Sequence, residues 1–252
     1  MSGQIPVKST RTTFAIVERL IALDGAGISE VAADLDKPKA TIHDHLTSLD
    51  ELGYIKREGQ EYKAGTKFLR IGEQIRENMS IYRTAKPELG KLARKTGEHA
   101  SLMIEENGWG VYLHTAENPD TVNIVTPEGT PTKLHTTAPG KAILAHLPQE
   151  RRRQIVSEVE LTAETANTIT DEETLLTELQ EIRQQGYAVD HQEGLKGMQG
   201  VAVPVFSRQE NLLAGAISVY GPSRRTNIDD FEDEVLDELH RTVNIVEINY
   251  NY

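Results

Sequence analysis

Apolar residues recur at helical spacing near the start of the chain. Ile16, Val17, Leu20 and Leu23 share one face of a helix predicted over residues 12–23, which Asp24-Gly25-Ala26-Gly27 ends. Ser29 is placed to cap a short second helix that turns Val31, Ala32 and Leu35 inward, and Asp36-Lys37-Pro38 makes the turn into a third. That third helix is predicted over residues 39–52, with Ile42, Leu46, Leu49 and Leu52 as its buried stripe and Lys39, Thr41, His43, His45 and Ser48 off it. Residues 53–57 and 61–63 read as two short strands around Glu58-Gly59-Gln60. Three helices and a hairpin make a winged helix-turn-helix, assigned to residues 1–66.

Beyond Gly65-Thr66, the residues Phe68, Leu69, Ile71, Gly72 and Ile75 mark a linker helix, assigned to residues 67–82. Another helix, over residues 82–93, is expected to break near Pro87. Residues 83–252 then mix element types. Strands at 99–105 and 111–115 flank Asn107-Gly108, a strong hairpin signal. Residues 140–147 look helical, 171–185 form a charged amphipathic helix stopped by Gly186, and 201–206 and 214–220 are strands around a turn at 208–211. A final helix is predicted over 228–248. The fold class is α+β, an antiparallel sheet with helices packed on it behind the winged helix.

Composition narrows the chemistry. The chain has 252 residues and no cysteine, which removes disulfides, Cys-ligated zinc, iron–sulfur clusters and thiol nucleophiles. No run approaches the roughly 20 apolar residues of a membrane span, and the N-terminal residues lack a signal-peptide core, so a cytoplasmic protein is expected. Net charge is −12, which disfavours a generic basic nucleic-acid binder. The distribution of that charge changes the picture: residues 1–80 hold 11 basic and 12 acidic residues, leaving 16 and 27 to the rest. The acidity belongs to the second part and suits a halophile's solvated surface.

A helix that enters the major groove carries short polar side chains near its N-terminus, with cations nearby to hold phosphates. Thr41, His43 and His45 are candidates to specify bases, with Lys39 and Ser29 at helix starts. Lys56, Arg57 and Lys63 in the wing, and Lys8 and Arg11 in an arm ahead of the first helix, are candidates to position the backbone. His43 and His45, two apart, do not make a helical metal pair, and no metal or cofactor motif occurs elsewhere. Gly140-Lys141 lacks the glycine and hydroxyl residue of a phosphate loop, since His135 and Ala142 stand there.

Three segments in order carry a resemblance. The first holds Ser29-Glu30-Val31-Ala32, Pro38-Lys39-Ala40-Thr41-Ile42-His43 and Gly53-Tyr54; the second runs from His135 through Thr136-Thr137-Ala138-Pro139-Gly140-Lys141 to Ala145. The third holds Gly186-Tyr187-Ala188-Val189-Asp190, Glu193, Gly197, Val201 to Phe206 and Ala214 to Val219. On these residues the sequence resembles the IclR family of transcriptional regulators over nearly its whole length. The resemblance implies a dimer or tetramer, with winged helices on palindromic double-stranded DNA beside genes for sugar or organic-acid degradation. It also implies a GAF-like C-terminal domain that holds a small organic-acid effector. The family's pocket positions fall on Leu134, Ala138, Pro139, Gly140, Asp190, Met198, Gly200, Ser218 and Tyr220. Backbone N–H groups by Gly140 would seat a carboxylate, and space at Gly197 and Gly200 suggests a sugar acid or its keto-deoxy derivative. His43 stands where many members have arginine, and His191-Gln192 where many have an acidic pair.

The residues alone leave two rivals open. A sensor could act through protein partners, or His135 and Asp190 could converge for proton transfer in a small-acid enzyme. Arg151-Arg152-Arg153 reads as a solvated helix face with acidic partners, Trp109 as core or interface, and the seven acids from Asp229 to Glu238 as a helix start complementing the dipole.

Overall fold

The computed structural model describes residues 6–118, 128–207, 209, 212–223 and 228–250. The turn predicted at 208–211 lies outside them except for Gln209, and so do the side chains of Asp229, Asp230 and Asp233 in the acidic run. The chain divides into two compact units, Met1–Arg76 and Glu77–Tyr252.

The first unit holds α1 (Lys8–Ala22), α2 (Ile28–Asp34), α3 (Lys39–Glu51), the hairpin β1 (Ile55–Glu58) and β2 (Glu61–Ala64), and most of α4 (Lys67–Asn78). Ile16, Leu20, Val31, Ile42, Leu46, Ile55 and Tyr62 close its core, the residues that the helical and strand periods single out. Four local expectations need correction. The first helix starts at Lys8, where the Thr10 N–H donates to the Val7 carbonyl and opens the first turn, so Lys8 and Arg11 belong to α1 rather than to an arm. Ser29 does not cap α2: the helix begins one residue earlier, with the Gly27 carbonyl accepting from Glu30 and Val31. Leu52 is 60% exposed, since α3 ends at Glu51 and the chain leaves the helical period there. Gly53, at φ +72°, closes that end: its N–H donates to Asp50 and the next, from Tyr54, to Leu49. The fourth concerns Pro87 and belongs to the second unit.

There, α5 (Ser80–Thr96) runs through Pro87 without a break. Proline forfeits one rung of the ladder, while Ile81, Tyr82 and Ala85 before it and Leu89, Leu92 and Ala93 after it are all buried and hold the helix onto the core. Among the described residues six strands follow: β3 (His99–Glu106), β4 (Trp109–Ala116), β5 (Pro131–Thr132), β6 (Ala188–Asp190), β7 (Met198–Ser207) and β8 (Leu212–Pro222). They form one antiparallel sheet in the order β5-β4-β3-β8-β7-β6. Asn107 and Gly108, both at positive φ, make the tight turn between β3 and β4.

Helices cover both faces of this sheet. Leu102, Val201, Val203, Val205, Ile217 and Val219 pack with α5 and α9 (Ile228–Tyr250). The alternate residues Met103, Ala202 and Ala216, with Ala188, pack with α6 (Ala138–His146), α7 (Gln149–Glu158) and α8 (Glu172–Gln185). Alanines on that side let α6 approach closely. Burial on both faces explains why 201–206 reads as a continuous apolar run rather than an alternating one. The predicted stop at Gly186 is the left-handed residue that ends α8, whose first turn Asp171 caps through Thr174 N–H at 2.8 Å. Among the described residues no helix is long and apolar enough to cross a membrane.

Candidate functional site

Two groups of predicted residues fall in two places, one in each unit. On α3, Lys39 and His43 are exposed, and helical spacing puts Ala40, Asp44 and Thr47 on the same outward face as His43. Thr41 is half-buried. His45 turns the other way: its Nδ1 lies 2.9 Å from the Thr13 hydroxyl and ties α3 to α1. In the wing, Lys56 pairs with Glu58 at 2.5 Å, and Lys63 Nζ sits 3.8 Å from Glu58 and 3.9 Å from Asp24. Arg57 donates to the Gly59 carbonyl and lies over the Tyr62 ring. Resident acids thus already neutralise two of the three wing cations.

The second unit encloses a cavity of about 300 Å³. Seven of the nine predicted pocket residues line it: Ala138, Pro139, Asp190, Met198, Gly200, Ser218 and Tyr220. The sheet brings them together, because β6, β7 and β8 are neighbours and register sets Asp190 opposite Gly200, and Gly200 opposite Tyr220. Leu134 and Gly140 do not line it. Leu134 opens a 3-10 turn over residues 134–136 that lies directly on α6, and a side chain at Gly140 would collide with the Leu134 carbonyl. Gly140 therefore serves close packing. Its N–H is also taken, donating to the Thr137 hydroxyl at 3.2 Å, which corrects the expected anion seat there. The glycine argument for spare room changes too. Gly197 supplies a positive φ of 86°, and a Cβ at Gly200 would press on Tyr220 at 3.1 Å.

Polar groups in the cavity are mostly neutral donors. The Ser218 hydroxyl shares a 2.7 Å hydrogen bond with Ser101 across β3 and β8, and the Tyr220 ring stacks near His99, 5.2 Å between centroids. Burial pushes both Tyr220 and Tyr112 above the usual phenol range. Burial likewise raises Asp190 to about 7, helped by nearby Glu193, while the Glu193 N–H, donating to Asp190 at 2.7 Å, and Lys141 work against the rise. Trp109, Tyr112, Lys133 and Glu164 also line the space. None of these four follows from the pocket positions read in the sequence.

Behind the cavity lies a buried ion cluster. Lys141, whose side chain is fully buried, contacts Glu193 at 2.6 Å and also pairs with Glu178 from α8. Glu193 accepts the His191 N–H, and its backbone carbonyl accepts from the Thr168 hydroxyl at 2.6 Å. A lysine directly ahead of the apolar run Ala142-Ile143-Leu144-Ala145 signals such a cluster, because a buried ammonium requires acids beside it.

His135 does not meet Asp190. It is buried outside the cavity, with Nε2 3.4 Å from the Thr162 carbonyl, and burial lowers its pKa. The acid and imidazole pair of the rival enzyme reading is therefore not brought together in the cavity. Arg151 pairs with Glu105 at 2.5 Å, consistent with a structural role for that basic helix face. Among the described residues no group of three His, Asp or Glu is placed to hold a metal.

Known proteins resemble both units. Residues 11–59 match the family profile "IclR helix-turn-helix domain", and residues 74–247 match "Bacterial transcriptional regulator IclR C-terminal". A relative from Halobacterium salinarum, "Probable HTH-type transcriptional regulator ArcR", is 31% identical over 96% of this chain and 93% of its own. The HTH-type transcriptional regulator KdgR of Escherichia coli is 31% identical over 92% of this chain and 87% of its own. The crystal structure of the Thermotoga maritima IclR superposes with a TM-score of 0.82 at 27% identity, covering 97% of this chain and 99% of that one. The inducer-binding domain of PobR from Acinetobacter, solved with 3-hydroxybenzoic acid, covers 66% of this chain and 97% of its own at 28% identity and TM-score 0.61. With both of its units matched in order, the chain belongs to the IclR family, a family of transcriptional regulators rather than enzymes.

Proposed function

We propose that this protein binds palindromic operator DNA as a dimer or tetramer, regulates catabolic genes, and responds to a small organic acid held in its second unit. The cavity ringed by Asp190, Ser218, Tyr112 and Tyr220 carries the reading, because its hydroxyl and phenol groups offer hydrogen-bond donors to a small acid. Its many hydroxyls favour a hydroxylated acid. Self-association is supported by α4, which buries none of its residues and leaves Leu69 and Ile75 exposed. The acidic surface and the Halobacterium relative support a halophilic source.

Mapping the protein on its native genome by crosslinking, with and without candidate acids, tests this reading. A few sharp palindromic sites beside catabolic genes, with occupancy that changes on acid addition, are the expected result. No sites under any condition would remove the DNA-binding function and favour a protein partner.

Asp190 makes ligand binding depend on pH. A bound carboxylate is repelled by ionised Asp190 and hydrogen-bonded by its acid form, so binding raises a pKa already near 7. Affinity is then full below about pH 7 and falls by up to about tenfold per unit as pH climbs toward the bound-state value. Titrations between pH 6 and 9 on the order of one unit apart should show this slope, and Asp190→Asn should flatten it.

A further inference from the structure

We propose that Lys133 selects for a carboxylate ligand and that Glu164 is the resident carboxylate which the ligand displaces. This rests on the reading of the cavity as the effector site. Among the described lining residues Lys133 is the one basic group, against two acids, Glu164 and Asp190. The start of α6 can add the Ala138 N–H as a neutral donor, but Pro139 has no N–H, that of Gly140 is held by Thr137, and no side-chain cation stands there to face the cavity. An entering anion therefore finds its fixed positive counterpart at Lys133.

Geometry makes the exchange easy. Lys133 Nζ pairs with Glu164 at 2.5 Å and also donates to the Thr162 hydroxyl, so the ammonium keeps a fixed neighbour when Glu164 leaves. The Glu164 side chain is 44% exposed and regains water on swinging out. Its backbone stays in place: the Glu164 N–H donates to Thr168 at 3.0 Å, and Thr168 in turn donates to the carbonyl of Glu193. The moving part is one side chain, and the loop that carries it is pinned to the wall of the cavity.

Trp109, the single tryptophan of the chain, lines the cavity and is 38% exposed, so its fluorescence reports occupancy directly in the full-length protein. The probes are D-gluconate with its uncharged counterpart D-glucitol, and 3-hydroxybenzoate with 3-hydroxybenzyl alcohol. Wild-type protein should prefer at least one acid over its counterpart. Lys133→Met should weaken that acid about tenfold to a hundredfold and leave the neutral compound within about twofold. Lys133→Arg should keep the preference, and Glu164→Gln should tighten the acid several-fold by removing its competitor. Acid and neutral affinities that move together, or not at all, in Lys133→Met and Glu164→Gln overturn the role of Lys133 and leave the effector reading intact. Wild-type protein that binds neither acid at millimolar concentration overturns the effector reading, and this inference falls with it.

Discussion

Replacing Lys141 with methionine is expected to destabilise the second unit by about 3–5 kcal/mol, the cost of leaving a buried carboxylate without its partner. Methionine fills much of the space, so the loss is electrostatic rather than a cavity effect. The carboxylate at risk is Glu193, whose side chain is 3% exposed and whose Oε2 already lacks a hydrogen-bond partner. Glu178, 29% exposed, can turn to water; Glu193 cannot. The double variant Lys141→Met with Glu193→Gln should therefore recover much of the stability, a recovery that a packing defect would not give. Chemical denaturation of the two single variants and the double variant measures the coupling directly. Additive losses would show that the cluster is not a unit. Because Lys141 holds Asp190 down and Glu193 pushes it up, the single Lys141 variant should also shift the pH slope of ligand binding upward.

Where burial repeats with a period, the chain reveals its own fold. The stripes Ile16-Leu20 and Ile42-Leu46-Leu49, the turn Asn107-Gly108 and the stop at Gly186 all sit where local pattern puts them. Ends without apolar marks are harder: Lys8 reads as an arm because nothing apolar labels that first turn, yet the backbone bond from Thr10 to Val7 begins the helix there. Strands β5 and β6, of two and three residues, are too short to show any period. Pro87 shows tertiary burial overriding a local breaker. The cavity divides the same way. Residues within recognisable segments, such as Asp190 and Ser218, are legible, whereas Trp109, Lys133 and Glu164 arrive from separate stretches that only the folded sheet and its loops bring to one wall. His45 is a related case, since its place on α3 gives no sign in the sequence of the Thr13 hydroxyl that meets it from α1.

Asparagine at position 190 should make the protein more stable at pH 8 while removing the pH response of its ligand site. The folded chain raises Asp190 from 3.8 to about 7, so below about pH 4 both folded and unfolded states hold the proton and the residue is neutral in its effect. Between those values the folded state binds a proton that the unfolded state has released, and stability falls as pH rises. Above about 7 the folded state carries an ionised carboxylate at a cost of at most about 4 kcal/mol, from about three units at 1.36 kcal/mol each. Asp190 borders the cavity, where solvent can offset part of that cost, so a gain of about 2 kcal/mol is expected for Asp190→Asn. The amide oxygen still accepts the Glu193 N–H that Asp190 accepts at 2.7 Å, which keeps the loop in place. Denaturant midpoints for both proteins across about pH 5 to 8 would show the difference widening with pH; a difference that is constant, or that shrinks, contradicts a buried carboxylate. A group retained at the expense of stability is expected where its chemistry is used, and the use proposed for Asp190 is the uptake of one proton together with one bound carboxylate.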